Sequence, residues 1–289
     1  MQEEYGLSKF NPECIPITSV CVFVARRGMG KSTACEDLLY HLRFKVPLVT
    51  VFSPTEATDP FFSKFIPDAF IYNELNMEAL EQIRKRQRTV LASPPPGVTD
   101  PNCLIILDDC MYKKSLFNHE LIRYIIMNGR HDGLGLWIIA QYVSDLPPYI
   151  RANADFVFAF KDNVRANREN MWKMFFGVVP SFPVFDPIHK FYTDNYGILV
   201  LNNRERSQDE KKMLFWYTAR PIQEKWRLGP QAGDMYKFQE MHYVENKANI
   251  VDWNKFEMSS LKKPETVTTK KKEQLVLRRL GVDGKPLEE

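Results

Sequence analysis

Residues 19–24 (SVCVFV) are apolar almost throughout and rich in β-branched side chains, and they run straight into the turn ARRGMG and then a helical stretch from about Lys31 to Lys45. A run of that kind reads as a strand buried on both faces, the type found in parallel sheets. Four similar runs follow: PLVTVF at 47–52, CLIIL at 103–107, LWIIA at 136–140 and FVFAF at 156–160. Helical periodicity fills two of the gaps. Between 77 and 91, Leu80, Ile83 and Gln87 share a face; between about 118 and 128, Leu121, Ile122, Ile125 and Ile126 do so. Strands alternating with helices predict right-handed crossovers, hence an α/β fold with a mainly parallel sheet and helices on both faces. Residues 93–101 (SPPPGVTDP) must form a loop, because consecutive prolines sustain neither a helix nor a central strand. Residues 197–201 and 213–218 flank a polar stretch and predict an antiparallel pair added at the sheet edge.

The chain of 289 residues, 44% hydrophobic, is long enough to bury a sizeable core. Its organisation reads as one domain over 1–230 with a core of about 15–226, a weakly patterned extension over 231–261, and a basic, flexible tail over 262–289. No apolar run approaches the roughly 18 residues that cross a bilayer, so no membrane span is expected. The first residues lack the basic-then-apolar pattern of a signal peptide. The five cysteines form no CxxC pair and the five histidines are scattered, which argues against a zinc site and for a reducing compartment.

The turn after the first buried strand carries the chemistry. ARRGMGKS, residues 25–32, fits the phosphate-binding P-loop pattern with Ala25 in place of the usual first glycine. Backbone N–H groups of residues 27–33 (Arg27, Gly28, Met29, Gly30, Lys31, Ser32, Thr33) are expected to line a concavity at a helix N-terminus and hold the phosphates of ATP. Gly28 and Gly30 let the backbone come close. Lys31 would reach the β- and γ-phosphates, and the Ser32 hydroxyl would take a Mg²⁺ position. A carboxylate at the end of a buried strand completes the metal site, so Asp108 in LIILDDC is assigned to Mg²⁺ and Asp109 to the attacking water. Gln141, just past LWIIA, is placed to hydrogen-bond the γ-phosphate and the water. Guanine nucleotides fit poorly: DGLG at 132–135 precedes a strand, and NKAN at 246–249 is not NKxD.

These segments together resemble the poxvirus-type genome-packaging ATPases of nucleocytoplasmic large DNA viruses, within the FtsK–HerA group of P-loop motors. The resemblance spans about 15–226 and rests on ARRGMGKST, LIILDDC, NGRHDGLGLWIIAQ, LPPYIRANADFVFAF and PIQEKWRLG. It implies an additional-strand, RecA-like core in which the strand bearing Gln141 lies between the Walker A and Walker B strands. It further implies rings of five or six subunits that hydrolyse ATP, translocate double-stranded DNA into a capsid and engage capsid proteins. The location implied is the viral assembly site in the host cytoplasm, or the virion. Such rings complete each site with an arginine from the neighbouring subunit, for which Arg130 and Arg151 are the candidates.

Two other readings compete at this stage. A P-loop kinase of a small molecule or nucleoside would need an arginine-bearing lid, which RKRQR at 84–88 could supply. A nucleotide-binding assembly protein without hydrolysis is opposed by the intact Lys31, Asp108 and Asp109. The tail from Lys262 to Lys285 holds eight basic residues against three acids in a chain of net charge +3. It is therefore the expected DNA contact, through Lys270, Lys271, Lys272, Arg278 and Arg279.

Overall fold

The computed structural model describes residues 4–93, 100–112, 114–207, 209–229, 235–236 and 239–240, and the backbone of 276–279. The chain opens with β1 (Glu4–Lys9) and β2 (Val20–Val24), then α1 (Lys31–His41), β3 (Val49–Phe52), β4 (Ile71–Tyr72) and α2 (Met77–Ala92). After β5 (Cys103–Asp108) come α3 (Lys114–Phe117), α4 (Glu120–Asn128), β6 (Leu134–Ala140), α5 (Pro148–Asn153) and β7 (Phe156–Ala159). The remaining elements are α6 (Arg165–Met174), α7 (Phe182–Tyr192), β8 (Gly197–Asn202), α8 (Glu210–Met213), β9 (Leu214–Thr218) and β10 (Val276–Arg279).

The strands form one sheet in the order β10-β1-β9-β8-β7-β2-β6-β5-β3-β4. All neighbours are parallel except β7/β8 and β8/β9. The strand carrying Gln141 thus lies between those carrying the P-loop and the paired aspartates. Its register sets Ala140 opposite Val24 and Ile139 opposite Asp108, so the C-terminal ends of β2, β6 and β5 finish level with one another. This is the mainly parallel, helix-flanked P-loop NTPase architecture.

Period-two alternation splits the buried strands between two cores. Val22, Ile105, Leu107, Leu136, Ile138 and Val157 face a cluster with residues of α2, α4, α5, α6 and α7. Their neighbours Cys21, Phe23, Leu104, Ile106, Trp137, Ile139 and Phe158 face the opposite layer, with α1 and the segment around Phe62 and Phe65. Strands apolar on both faces are what this double coverage demands. Full burial of each such large side chain contributes about 1.5–3 kcal/mol.

Three differences from the sequence expectation stand out. The expected antiparallel pair is present as β8 and β9, but the sheet continues beyond it through β1 and β10. β1 carries little apolar signal; it is held by pairing with β9 and by Leu7, whose N–H donates to the Tyr192 hydroxyl at 3.0 Å. Within the segment expected to be a flexible tail, Val276–Arg279 form a strand parallel to β1, with Arg278 opposite Gly6 and Arg279 opposite Leu7. Lys270, Lys271 and Lys272 lie outside the described residues, as does most of the extension. No described helix is long and apolar enough to cross a membrane.

Candidate active site

The turn after β2 begins with one more ladder bond, Ala25 N–H to the Ala140 carbonyl at 3.0 Å, and is closed by Met29 N–H to the Arg26 carbonyl at 3.3 Å. Gly28 (φ 80°) and Gly30 (φ 82°) both lie in the left-handed region, which is why glycine stands at these two places. Gly30 is also the N-cap of α1 and supplies no side-chain cap, and the first turn of α1 carries no acid. The opening N–H groups and positive dipole end of this helix are therefore available to an anion. Lys31 and Ser32 stand at its mouth, as expected from the sequence.

Asp108 closes β5 partly buried, and its carboxylate accepts the Ser53 hydroxyl at 2.9 Å. Burial pushes its pKa up to about 6; the nearby Lys31 charge and the Ser53 hydrogen bond pull the other way without overcoming it. A buried carboxylate raised in this manner gains when a cation is brought to it. Among the described residues no cluster of three or more His, Cys, Asp or Glu side chains could hold a metal.

Asp109 sits one residue on in a left-handed backbone (φ 48°), its N–H donating to the Ile139 carbonyl at 3.1 Å. A non-glycine residue held there is strained, and such strain concentrates at functional sites. The turn aims the Asp109 carboxylate back towards the helix mouth. Its Oδ1 pairs with Lys31 Nζ at 2.7 Å, and its Oδ2 accepts from Gln141 Nε2 at 3.3 Å. Lys31, Asp109 and Gln141, distant in sequence, thus form one hydrogen-bonded chain across β2, β5 and β6. A triphosphate entering the loop would compete for Lys31 and release a carboxylate already steadied by an amide, in place to orient a water.

Ser53 was not among the expected site residues. Its only sequence signal is its position directly after a buried strand, ahead of Pro54. The loop that follows is braced by the buried Glu56, whose carboxylate accepts the N–H groups of Phe61, Phe62 and Ser63 at 2.8–3.1 Å.

The two arginines lie elsewhere. Arg130 is exposed in a single 3-10 turn, Gly129–Asp132, just ahead of β6, and so at the end of the sheet opposite Gln141. Arg151, in α5, donates to the Leu146 carbonyl at 3.0 Å. Arg130 is thus remote from the P-loop of its own chain. The basic run of α2 is occupied structurally at that same far end: Arg84 bonds Glu81, and Arg88 contacts Asp132 and Tyr124.

No protein-family model matches the chain. It is 30% identical over 245 residues to uncharacterized protein L437 of Acanthamoeba polyphaga mimivirus, covering 83% of this chain and 84% of that one. It is 32% identical over 196 residues to uncharacterized protein 088R of Invertebrate iridescent virus 3, covering 68% and 74%. Among solved structures it resembles the genome packaging NTPase B204 from Sulfolobus turreted icosahedral virus 2 in complex with AMPPCP. That match has a TM-score of 0.54 at 18% identity, over 74% of this chain and 100% of that one.

Proposed function

We propose that this chain, which belongs to a family of proteins from nucleocytoplasmic large DNA viruses and carries the fold of the viral genome-packaging P-loop NTPases, is an ATP-hydrolysing motor that drives double-stranded DNA into a capsid. The observation that carries the reading is the Lys31–Asp109–Gln141 chain at the level ends of β2, β5 and β6. It joins a phosphate-binding cation, a water-orienting carboxylate and a neutral amide next to a helix N-terminus.

In this reading Lys31 and the N–H groups of residues 27–33 bind the triphosphate, and Asp109, released from Lys31, orients and deprotonates the attacking water. Gln141 keeps Asp109 aligned and senses whether the γ-phosphate is present. Ser32 and Asp108 would hold Mg²⁺, which when bound neutralises charge developing on the phosphates. Ser53 fixes the Asp108 carboxylate. The working form is a ring of five or six subunits, acting with capsid proteins at the assembly site in the host cytoplasm. Arg130 or Arg151 then serves the neighbour's site, and the remoteness of Arg130 from its own P-loop favours a role in trans. Basic residues of the 262–289 segment contact DNA phosphates.

Phosphate release from ATP and Mg²⁺, with and without duplex DNA and beside a screen for phosphorylated product, tests the proposal. Release stimulated by DNA supports it; a phosphorylated small molecule would replace it with a kinase.

A further inference from the structure

The turn before β8 holds an aromatic ring against the phosphate loop. Asn195 (φ 49°) and Tyr196 (φ 60°) are consecutive non-glycine residues in the left-handed region. Two such residues in a row cost energy and persist only where surrounding structure imposes them. The imposition is visible on both sides. Thr193 caps α7 through its N–H and hydroxyl to the His189 carbonyl, at 2.9 and 2.7 Å. Asp194 pairs with Lys161 at 2.7 Å, and Gly197 N–H donates to the Asp194 carbonyl at 2.9 Å. A Cβ at Gly197 would fall 2.2 Å from the Tyr192 carbonyl oxygen, so the chain is pinned on this side by close backbone approach.

The pinned turn presents Tyr196 with 70% of its surface exposed, the most exposed of the large apolar and aromatic side chains among the described residues. Its ring is not free of the site. A Cβ built on Gly30 would lie 3.4 Å from Tyr196 Cδ1, so the ring edge borders the N-cap of α1. β8 runs antiparallel to β7, and its start therefore lies at the same end of the sheet as the P-loop. It stands on the side of β2 away from Asp108, Asp109 and Gln141.

We infer that Tyr196 is the stacking platform for the base of the nucleoside triphosphate. This rests on the P-loop reading above and extends it to the opposite end of the ligand. With the γ-phosphate drawn towards Lys31, Asp109 and Gln141, the nucleoside leaves the cradle on the β7–β8 side. There an aromatic face carried on a pinned backbone turn meets it. Stacking reads the π-face and not the base edge, so the contact favours purines over pyrimidines and does not itself separate adenine from guanine.

The test measures equilibrium binding of AMP-PNP and of tripolyphosphate, which has no base, to the full chain and to Tyr196→Ala and Tyr196→Phe. Stacking predicts that Tyr196→Ala weakens AMP-PNP by about 10-fold or more, keeps tripolyphosphate affinity, and is rescued by Tyr196→Phe. Retained tripolyphosphate binding also shows that the variant is folded. Unchanged AMP-PNP affinity overturns the inference. Equal loss of both ligands overturns it too, since the ring would then act on the phosphate loop. If the wild-type chain binds neither ligand, the P-loop reading itself fails and the stacking role falls with it.

Discussion

In the Lys31–Asp109 ion pair, with side chains 12% and 23% exposed, the cation that would bind phosphate and the carboxylate that would activate water neutralise each other. The two substitutions should therefore separate. Lys31→Ala removes a phosphate contact and should lower nucleotide affinity and turnover together. Asp109→Asn frees Lys31 and should leave affinity equal or tighter, while turnover falls by about 10²-fold or more. Titration with a non-hydrolysable analogue beside single-turnover kinetics separates binding from chemistry; weaker binding by Asp109→Asn would contradict this account of the pair. A second residue makes a pH prediction. His189 is buried, its Nε2 in contact with the Phe160 carbonyl at 3.1 Å, and its Nδ1 has no hydrogen-bond partner among the described residues. Burial, reinforced by the Arg168 charge, drops its pKa from 6.5 to about 4. The unfolded chain binds a proton between those values that the folded chain refuses, so this contribution is complete above pH 6.5 and is lost as pH falls towards 4. Measured by urea unfolding, the stability difference between wild type and His189→Gln should shrink by about 3 kcal/mol across that range. A difference independent of pH would show that His189 is protonated in the fold.

At the scale of elements, the site depends on β2, β5, β6 and β7 staying in register, and their packing rests on aromatic contacts. Phe23 and Phe158 stack at 4.6 Å between ring centroids across β2 and β7. Phe158→Ala should cost about 3–5 kcal/mol by denaturant unfolding; a loss below about 1 kcal/mol would mean that the layer can collapse into the gap. These central strands were legible in the sequence because each is a short, continuous apolar run, and the P-loop because its chemistry is local. The position of the Gln141 strand came only with the family resemblance, since sheet order is a long-range property that spacing does not encode. β1 escaped notice for a related reason: EYGLSK has little apolar pattern, and its pairing with β9 joins residues far apart in sequence. Helices α6 and α7 were missed as well. α6 has mostly polar residues, and α7 carries Pro187 inside it, which local propensity reads as a break. Ser53 and Tyr196 gave almost no signal, because what marks them is the neighbour each meets across the fold.

For the whole molecule, a ring with shared sites predicts behaviour that no isolated subunit shows. Arg130→Ala or Arg151→Ala protein mixed into wild type should inhibit more than in proportion to its fraction, because each variant subunit disables its neighbour's site and one dead site stalls a ring whose sites fire in turn. Strictly proportional inhibition by both variants would leave no trans arginine among these two. The central claim is that hydrolysis at the Lys31–Asp109–Gln141 site is coupled to duplex DNA. The most direct measurement is steady-state phosphate release by the full chain with ATP and Mg²⁺, with and without duplex DNA, for wild type and Asp109→Asn. The account predicts release that rises with DNA in the wild type and falls by about 10²-fold or more in Asp109→Asn under both conditions. Wild-type release indifferent to DNA, or an Asp109→Asn rate equal to wild type, would contradict it.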